Sequence, residues 1–267
     1  MAENRAQQAR ANMENGLPGY CQSAPLYIEP FAGMLGVLLQ KPKSKCEIVN
    51  DLDGLIYSFW KCIRDHPKEF HYQMNNMPQC RRTFMDAVET RKNYLNGTDI
   101  SILEIACAVS MILLHGYSGK LSEDTFIIRQ ETPNQTQQFT KRLQRLHERL
   151  IDVRVENMDV LKLLDKYKEK DDATIYCDPP YPGSVKRGMD YNQKLSSIAD
   201  FCDMAKAQKG KIAISGYGND FDQLDWYKSE MKGLMTVSNN AGEKSRDRIE
   251  VLWTNYKPEK QMTLLDL

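Results

Sequence analysis

The sequence predicts an α/β protein, in which a parallel sheet is flanked by helices and interrupted by a mostly helical segment. Short apolar runs alternate with segments of helical periodicity near both ends of the chain, a pattern typical of a doubly wound sheet. Between about Pro67 and Leu150 this alternation stops and helical patterns follow one another. A chain of 267 residues is long enough to bury an α/β core with such an insert.

Short apolar runs and residues at helical spacing predict the first strands and helices. Leu26–Glu29 is predicted as a buried strand, and the loop after it is predicted to lead into a helix near Val37. Cys46–Val49 is predicted as the second strand. Asp53 can cap the next helix, in which apolar residues recur at helical spacing.

The helical segment and the second half of the sheet follow in order. Three helices are predicted in the insert: Arg81–Leu95, Ile100–Leu114 and Thr136–Leu150. The alternation then resumes with three strands and two helices: Val153–Glu156, a helix after Asp159, Ala173–Cys177, Leu195–Gln208 and Lys211–Ser215. Strands near Leu234–Val237 and Ile249–Tyr256 are predicted to close the sheet as a hairpin.

The net charge and the cysteine pattern indicate which kinds of site the protein lacks. The formal net charge is zero and the pI is near 6.9, so there is no global basic field, although a local basic face is enough to hold phosphates. The seven cysteines are scattered and lack a Cys-x-x-Cys pair, which argues against disulfides and a zinc site. We expect no metal.

Two segments bear on membranes and targeting. The apolar run Ile100–Leu114 contains Glu104 and is too short for an easy membrane span. Residues 1–24 are polar, with no apolar core of a secretory signal. We therefore expect a protein of the cell interior that does not contact a membrane.

The tetrapeptide Asp178-Pro179-Pro180-Tyr181 directly follows the predicted strand Ala173–Cys177, where ligands bind in parallel sheets. An amine on an aromatic base is a weak nucleophile, because its lone pair is delocalised into the ring. The carboxylate of Asp178 and the carbonyl of Pro179 can accept its two N–H groups, and prolines fix the backbone there. Tyr181 can stack on an extruded base. The simpler alternative is a proline-rich turn.

A glycine-bearing loop follows the first strand, in the segment IEPFAGMLGV that begins at Ile28. Gly33 and Gly36 would let the backbone approach a ligand closely. Asp51 ends the next strand, where an acid can hold the ribose of a nucleoside. Asp159 can likewise hold an adenine amine, with Val160 against the ring. Either acid can equally be a helix N-cap.

Six segments resemble, in order, the Dam-type adenine-N6 DNA methyltransferases: IEPFAGMLGVLL, IVNDLDG, NMDVL, IYCDPPY, KIAISGY and RIEVLWTNY. The resemblance covers roughly residues 26 to 256. It implies a Rossmann-like methyltransferase sheet formed by residues 1–66 and 151–267. It also implies that residues 67–150 are an inserted helical target-recognition subdomain that contacts DNA.

The same resemblance implies a cofactor, a substrate and site residues. The cofactor is S-adenosylmethionine, and the substrate is an adenine flipped out of double-stranded DNA. The catalytic residues would be Asp178, Pro179, Pro180 and Tyr181. The cofactor residues would be Glu29, Pro30, Phe31, Ala32, Gly33, Gly36, Asp51, Leu52, Asp159, Val160 and Asp178.

The chain departs from the family pattern in its N-terminal segment, so two other functions remain alternatives. Family members usually begin with a glycine- and lysine-bearing segment that closes over the methionine end of the cofactor, and residues 1–25 do not resemble it. The alternatives are a DNA-binding relative with weak or no catalysis and an amine methyltransferase that acts on RNA.

Several basic and aromatic residues are candidates for contacting DNA: Tyr117, Ser118, Lys120, Arg129, Lys141, Arg142, Arg145, Lys186 and Arg187. Those of the predicted helix Thr136–Leu150 recur at nearly helical spacing, which also fits an ordinary solvated face. The other candidates lie in loops that can equally be connectors. The tail, residues 261–267, resembles the peptides that dock on bacterial sliding clamps, but a frayed amphipathic end is the simpler explanation.

Overall fold

The computed structural model describes residues 24–117, 120–127, 135–180, 197–231 and 250–258. Contacts within the chain divide it into two compact units. The first unit contains the described residues between Asp51 and Asn157, and the second unit contains those up to Asn50 and from Met158 onward. The predicted insert, residues 67–150, lies within the first unit, and its role in target recognition stays a prediction.

Seven strands and seven α-helices occur in the described residues. The strands are β1 (Leu26–Glu29), β2 (Cys46–Asn50), β3 (Val153–Glu156), β4 (Ala173–Cys177), β5 (Lys211–Tyr217), β6 (Tyr227–Met231) and β7 (Glu250–Thr254). The helices are α1 (Gly54–Asp65), α2 (Pro67–Asn76), α3 (Arg81–Leu95), α4 (Ile102–His115), α5 (Gln135–Leu150), α6 (Val160–Tyr167) and α7 (Ile198–Lys206). The α/β prediction is confirmed.

The sheet of the second unit has the strand order β2-β1-β4-β5-β7-β6. Its first four strands are parallel, and β7 runs antiparallel to both β5 and β6. All five residues of β4 are buried, as expected for a parallel strand covered on both faces. Helices α6 and α7 pack on each other through apolar side chains, and Phe201 of α7 joins Ile175 and Trp253 in one hydrophobic core.

The first unit contains five helices and β3 among its described residues. Helix α4 begins with a capping box, in which Ser101 and Glu104 satisfy each other's backbone N–H groups. It packs against α1 and α3. Rings of three helices meet where Phe139 lies 6.5 Å from Phe59 and 6.2 Å from Phe70.

Two local predictions differ from the structure. The predicted helix near Val37 is a run of turns, because Leu35 has a left-handed backbone with φ of 53° and Pro42 follows closely. Strand β6 was not predicted, since its sequence YKSEM has little apolar alternation. The predicted strand Leu234–Val237 lies outside the described residues.

Among the described residues, no helix is long and apolar enough to cross a bilayer. In the same part of the chain, no cluster of three histidine, cysteine or acidic side chains could hold a metal ion. The six described cysteines are unpaired with one another, and Cys21 lies outside the description.

Candidate active site

The carboxyl ends of β2, β1, β4 and β5 lie along one edge of the sheet, because these four strands are parallel. From β1 the chain continues to β2 on one side, whereas β4 pairs with β1 on the other side. The direction of connection therefore reverses between β1 and β4, and ligands of open α/β sheets bind in the crevice at such a reversal. The loop after β1 and residues 178–180 after β4 both begin at this point.

Asp178 is the first residue after β4, and its side chain is exposed. The hydroxyl of Ser215 lies 2.9 Å from Oδ1 of Asp178 and 3.2 Å from the carbonyl of Cys177. Pro179 is buried and Pro180 is half-buried, so the backbone leaves the strand on a fixed path. A carboxylate is thus presented at the reversal point from a buried strand.

The loop after β1 has an unusual backbone. Gly33 has a φ of 45°, a left-handed backbone that favours glycine, and among the described residues no atom lies within 4 Å of the place that a Cβ would take. Leu35 also has positive φ, and its N–H donates to the carbonyl of Ala32 at 2.7 Å. Phe31 packs edge-on against Phe201 at 5.8 Å. Met34 is 49% exposed at the loop tip, which suits contact with an apolar ligand surface.

Asn50 ties three segments of the second unit together. Its amide Nδ2 donates to the carbonyls of Pro30 and Met158, each at 3.0 Å. Its Oδ1 accepts from the N–H of Met158 at 2.9 Å, and its backbone carbonyl accepts from the N–H of Ala32 at 2.8 Å. One buried side chain therefore fixes the loop after β1 and the segment that enters α6.

Glu29 is buried within the second unit. Its Oε2 accepts hydrogen bonds of 3.0 Å from the hydroxyl of Tyr27 and from the N–H of Leu38. Burial raises the pKa of Glu29 to about 8; these hydrogen bonds oppose the rise, the charge of Asp178 adds to it, and Lys41 lowers it. The carboxyl group is therefore protonated at neutral pH and fastens Leu38 to β1. Its place among the cofactor residues stays a prediction.

Replacing Glu29 by glutamine is expected to remove a pH dependence of stability. Between the ordinary pKa of 4.5 and the folded-state value of about 8, the folded chain binds more protons than the unfolded chain. The free energy of unfolding therefore falls as the pH rises through this window. Glutamine keeps an acceptor but cannot ionise, so between about pH 5.5 and pH 8.5 the variant gains on the order of 3 kcal/mol in unfolding free energy relative to the wild type.

Urea unfolding at about pH 5.5 and pH 8.5 measures this effect. Glu169→Gln is the matched control, because Glu169 is exposed in a surface pair with Lys209 and its pKa is lowered rather than raised. If the free energy of unfolding changed equally with pH in the wild type and in the Glu29 variant, the buried proton would not be on Glu29.

Asp159 and Val160 stand at the start of α6. Asp159 is its N-cap, and Oδ1 accepts from the N–H of Leu161 at 2.8 Å. The side chain of Val160 belongs to the hydrophobic core. The capping alternative for Asp159 is thus observed, and its second oxygen is the one that a ligand would use; binding of a cofactor by this pair stays a prediction.

Asp51 and Leu52 belong to the first unit. Oδ1 of Asp51 accepts from the N–H of Asp53 at 2.9 Å, and Asp53, rather than Asp51, caps α1. The amide of Asn157 donates to the carbonyl of Asp51 at 2.6 Å and to that of Leu52 at 3.2 Å. The side chain of Leu52 is 39% exposed. Their roles toward a cofactor also stay predictions.

After α4, residues 115–117 pair antiparallel with residues 125–127. We call these residues, together with the described residues 120–124, the hairpin; residues 118 and 119 lie outside the described part. The N–H of Tyr117 donates to the carbonyl of Thr125, and that of Ile127 to the carbonyl of His115, both at 3.0 Å. The Tyr117 ring is 59% exposed, while Lys120 is half-buried. Both are therefore available, to different degrees, for the predicted contact with DNA.

A buried arginine holds the part of this hairpin that lies between its two paired segments. Arg91 of α3 donates to the carbonyl of Leu121 and to Oδ1 of Asp124, both at 2.5 Å. On the same hairpin, Phe126 packs against Phe84 of α3 at 5.5 Å between ring centroids. We call the contacts of Arg91 with Leu121 and Asp124 the Arg91 clasp.

Helix α5 presents basic side chains to solvent. Lys141, Arg142 and Arg145 are exposed, whereas Leu143 and Leu150 are buried. The amphipathic pattern of the sequence therefore corresponds to a real division between an apolar and a basic side of this helix.

Five single candidates and one segment lie outside the described residues: Ser118, Arg129, Tyr181, Lys186, Arg187 and the tail 261–267. Asn50 and Ser215 are the site residues that the sequence analysis missed. Both are polar residues at the carboxyl end of an apolar strand, and that position was the signal available in the sequence.

Comparison with known proteins agrees with the motifs. A family model described as D12 class N6 adenine-specific DNA methyltransferase matches residues 10–238, which is most of the 267-residue chain. A comparison with curated proteins finds no match. The predicted resemblance and enzyme class are thus confirmed, with DNA as substrate and a methyl donor as co-substrate. The chain belongs to the D12 class N6 adenine-specific DNA methyltransferase family.

Proposed function

We propose that this enzyme transfers the methyl group of S-adenosylmethionine to the N6 amine of an adenine that is flipped out of duplex DNA. The observation that carries the proposal is the location of Asp178 and Pro179. They follow the buried strand β4 at the reversal point of the sheet, beside the loop after β1. A hydrogen-bond acceptor on a rigid backbone at this point is what an aromatic amine requires.

The residues at the edge fit a cationic nucleoside cofactor. Gly33 has no side chain and a φ of 45°, so its backbone can come close to a ligand, and Met34 offers an exposed apolar surface. The exposed carboxylate of Asp178 favours a positive charge nearby. Asp51 and Asp159 are the proposed partners of the ribose and of the cofactor adenine. When bound, S-adenosylmethionine supplies an electrophilic methyl group on a sulfonium centre.

Asp178 and Pro179 activate the amine by accepting hydrogen bonds from its two N–H groups. A carboxylate oxygen of Asp178 accepts one N–H and the carbonyl of Pro179 accepts the other. These bonds draw the nitrogen away from the ring plane and localise its lone pair for attack. The proton that leaves the methylated nitrogen passes to an acceptor at the edge, for which Asp178 is the nearest candidate. Tyr181 would stack on the flipped base.

The first unit is the proposed DNA-binding part. The hairpin carries the exposed Tyr117, and α5 carries the exposed side chains of Lys141, Arg142 and Arg145. Basic groups of this kind hold phosphates and position the duplex, whereas the hairpin can reach base edges. Ser118, Arg129, Lys186 and Arg187 stay predicted contacts.

Exchanging Lys141 and Arg145 for glutamate is expected to weaken DNA binding and its dependence on salt. Each lost phosphate contact lowers the slope of log K against log salt by about 0.9, so the double variant should lose roughly 2. Fluorescence anisotropy with labelled duplex at several salt concentrations measures the slope. The control exchanges Lys168 and Lys209, which are exposed on the second unit. If the control lost as much of the salt slope as the double variant, the basic side of α5 would not be a specific site for DNA phosphates.

Methyl transfer to DNA from a methylation-deficient host tests the function as a whole. We expect N6-methyladenine among the nucleosides after digestion and mass spectrometry, and no methylated base when S-adenosylmethionine is omitted. Equal amounts of single-stranded RNA and duplex DNA in competition separate this function from RNA methylation. No methylated base, together with no heat of cofactor binding, would contradict the proposal.

A further inference from the structure

The pairing of β4 with β5 brings Ser215 next to Asp178. Cys177 lies opposite Ile214 in the parallel register, so the residues that follow them, Asp178 and Ser215, are neighbours across the strands. On its other side β5 pairs with β7, where Ser215 lies opposite Leu252. The backbone of Ser215 is thus held by pairing with β7 on one side and directly follows the last residue of β5 that pairs with β4.

The Ser215 hydroxyl has two acceptors and one proton. Its Oγ lies 2.9 Å from Oδ1 of Asp178 and 3.2 Å from the carbonyl oxygen of Cys177. Neither acceptor can donate to it when Asp178 is ionised, so the hydroxyl must donate. The shorter contact and the charge of the carboxylate both favour donation to Asp178. Ser215 is only 5% exposed, so few waters compete for its proton.

We propose that Ser215 is a positioning residue for methyl transfer, which holds one oxygen of Asp178 so that the other meets the target amine. This inference rests on the proposed function of Asp178. An aspartate side chain has several rotamers open to it. A hydrogen bond from a fixed, buried hydroxyl restricts the carboxylate to the rotamers in which Oδ1 faces β5. Ser215 acts through Asp178 and does not contact the base itself.

Three variants test this role in steady-state methylation of duplex DNA. Ser215→Ala removes the donor, and Ser215→Thr keeps a hydroxyl on a residue that suits a strand. Ser110→Ala is the matched control, because Ser110 is also buried and donates to a carbonyl, that of Ala106, at 2.7 Å within α4. Thermal unfolding of each variant reports any effect on folding, and Ser215→Cys provides a second replacement of similar volume.

We expect kcat of Ser215→Ala to fall about ten- to a hundredfold, as for a misplaced catalytic group, with KM for DNA and cofactor nearly unchanged. Ser215→Thr should recover most of kcat, Ser215→Cys should lie between, and Ser110→Ala should match the wild type. A kcat for Ser215→Ala equal to that of the wild type, while Asp178→Asn is inactive, overturns this inference and leaves the proposed function intact. An inactive wild type overturns both.

Discussion

Asp178→Asn is expected to reduce kcat for adenine methylation about a thousandfold, on the order of 4 kcal/mol in the activation barrier. Asparagine has nearly the same shape, but its amide places N–H groups where the target amine also has them. The amine then loses one acceptor and meets a donor instead. Binding of cofactor and DNA should change little, because the loss falls on the transition state.

Single-turnover methylation with saturating cofactor measures this effect without interference from product release. Asp222→Asn is the matched control, since Asp222 is bonded to Lys228 and Trp253 within the second unit and is not among the proposed catalytic residues. We expect the control to stay within about twofold of the wild type. Full methyl transfer by Asp178→Asn would refute the proposed mechanism.

Asn50→Ala is expected to have the largest effect on stability, a loss on the order of 3–5 kcal/mol. The change removes three side-chain hydrogen bonds to Pro30 and Met158 and leaves backbone groups without those partners. Because these groups fix the loop after β1, cofactor affinity should fall together with stability. The two losses have one cause, the release of the loop from the neighbouring segments.

Urea unfolding and calorimetric titration with cofactor measure the two losses separately. Asn255→Ala is the comparison, since Asn255 also bridges backbone groups, accepting from the N–H of Ile212 and donating to the carbonyl of Gly210, both at 2.9 Å. Asn255 follows β7 and contacts the start of β5, whereas Ser215 lies towards the end of β5. We expect it to lower stability with no loss of cofactor affinity. Unchanged cofactor binding in Asn50→Ala would contradict the role given to Asn50.

The elements that the sequence predicted well are those with strong local signals. Strand β4 was predicted with its observed bounds, because five residues buried on both faces form a continuous apolar run. Helix α3 was also predicted from end to end, Arg81–Leu95. The segment after Leu35 failed because its apolar spacing fits a helix while its backbone begins in a left-handed conformation, which no periodicity reveals.

The location of the site could be predicted, but its supporting contacts could not. Asp178 stands directly after an apolar strand, so one stretch of sequence contains both the strand and the acid. The partners of Asn50 and Ser215 are separated from them by up to 108 and 38 positions in sequence. Only the pairing of strands and the packing of α6 bring them together, and a single sequence contains no direct record of such contacts.

For the proposed contact of the hairpin with DNA, the Arg91 clasp has a thermodynamic consequence. Leu121 and Asp124 are already held by Arg91 in the free enzyme, so the backbone entropy of this part of the hairpin is lost during folding. Ordering a residue costs about 1–2 kcal/mol of conformational entropy, and a loop that folded only on DNA would lose that much affinity for each residue. A preformed hairpin avoids this cost. Duplex association can then proceed at a rate set by diffusion and charge rather than by loop ordering.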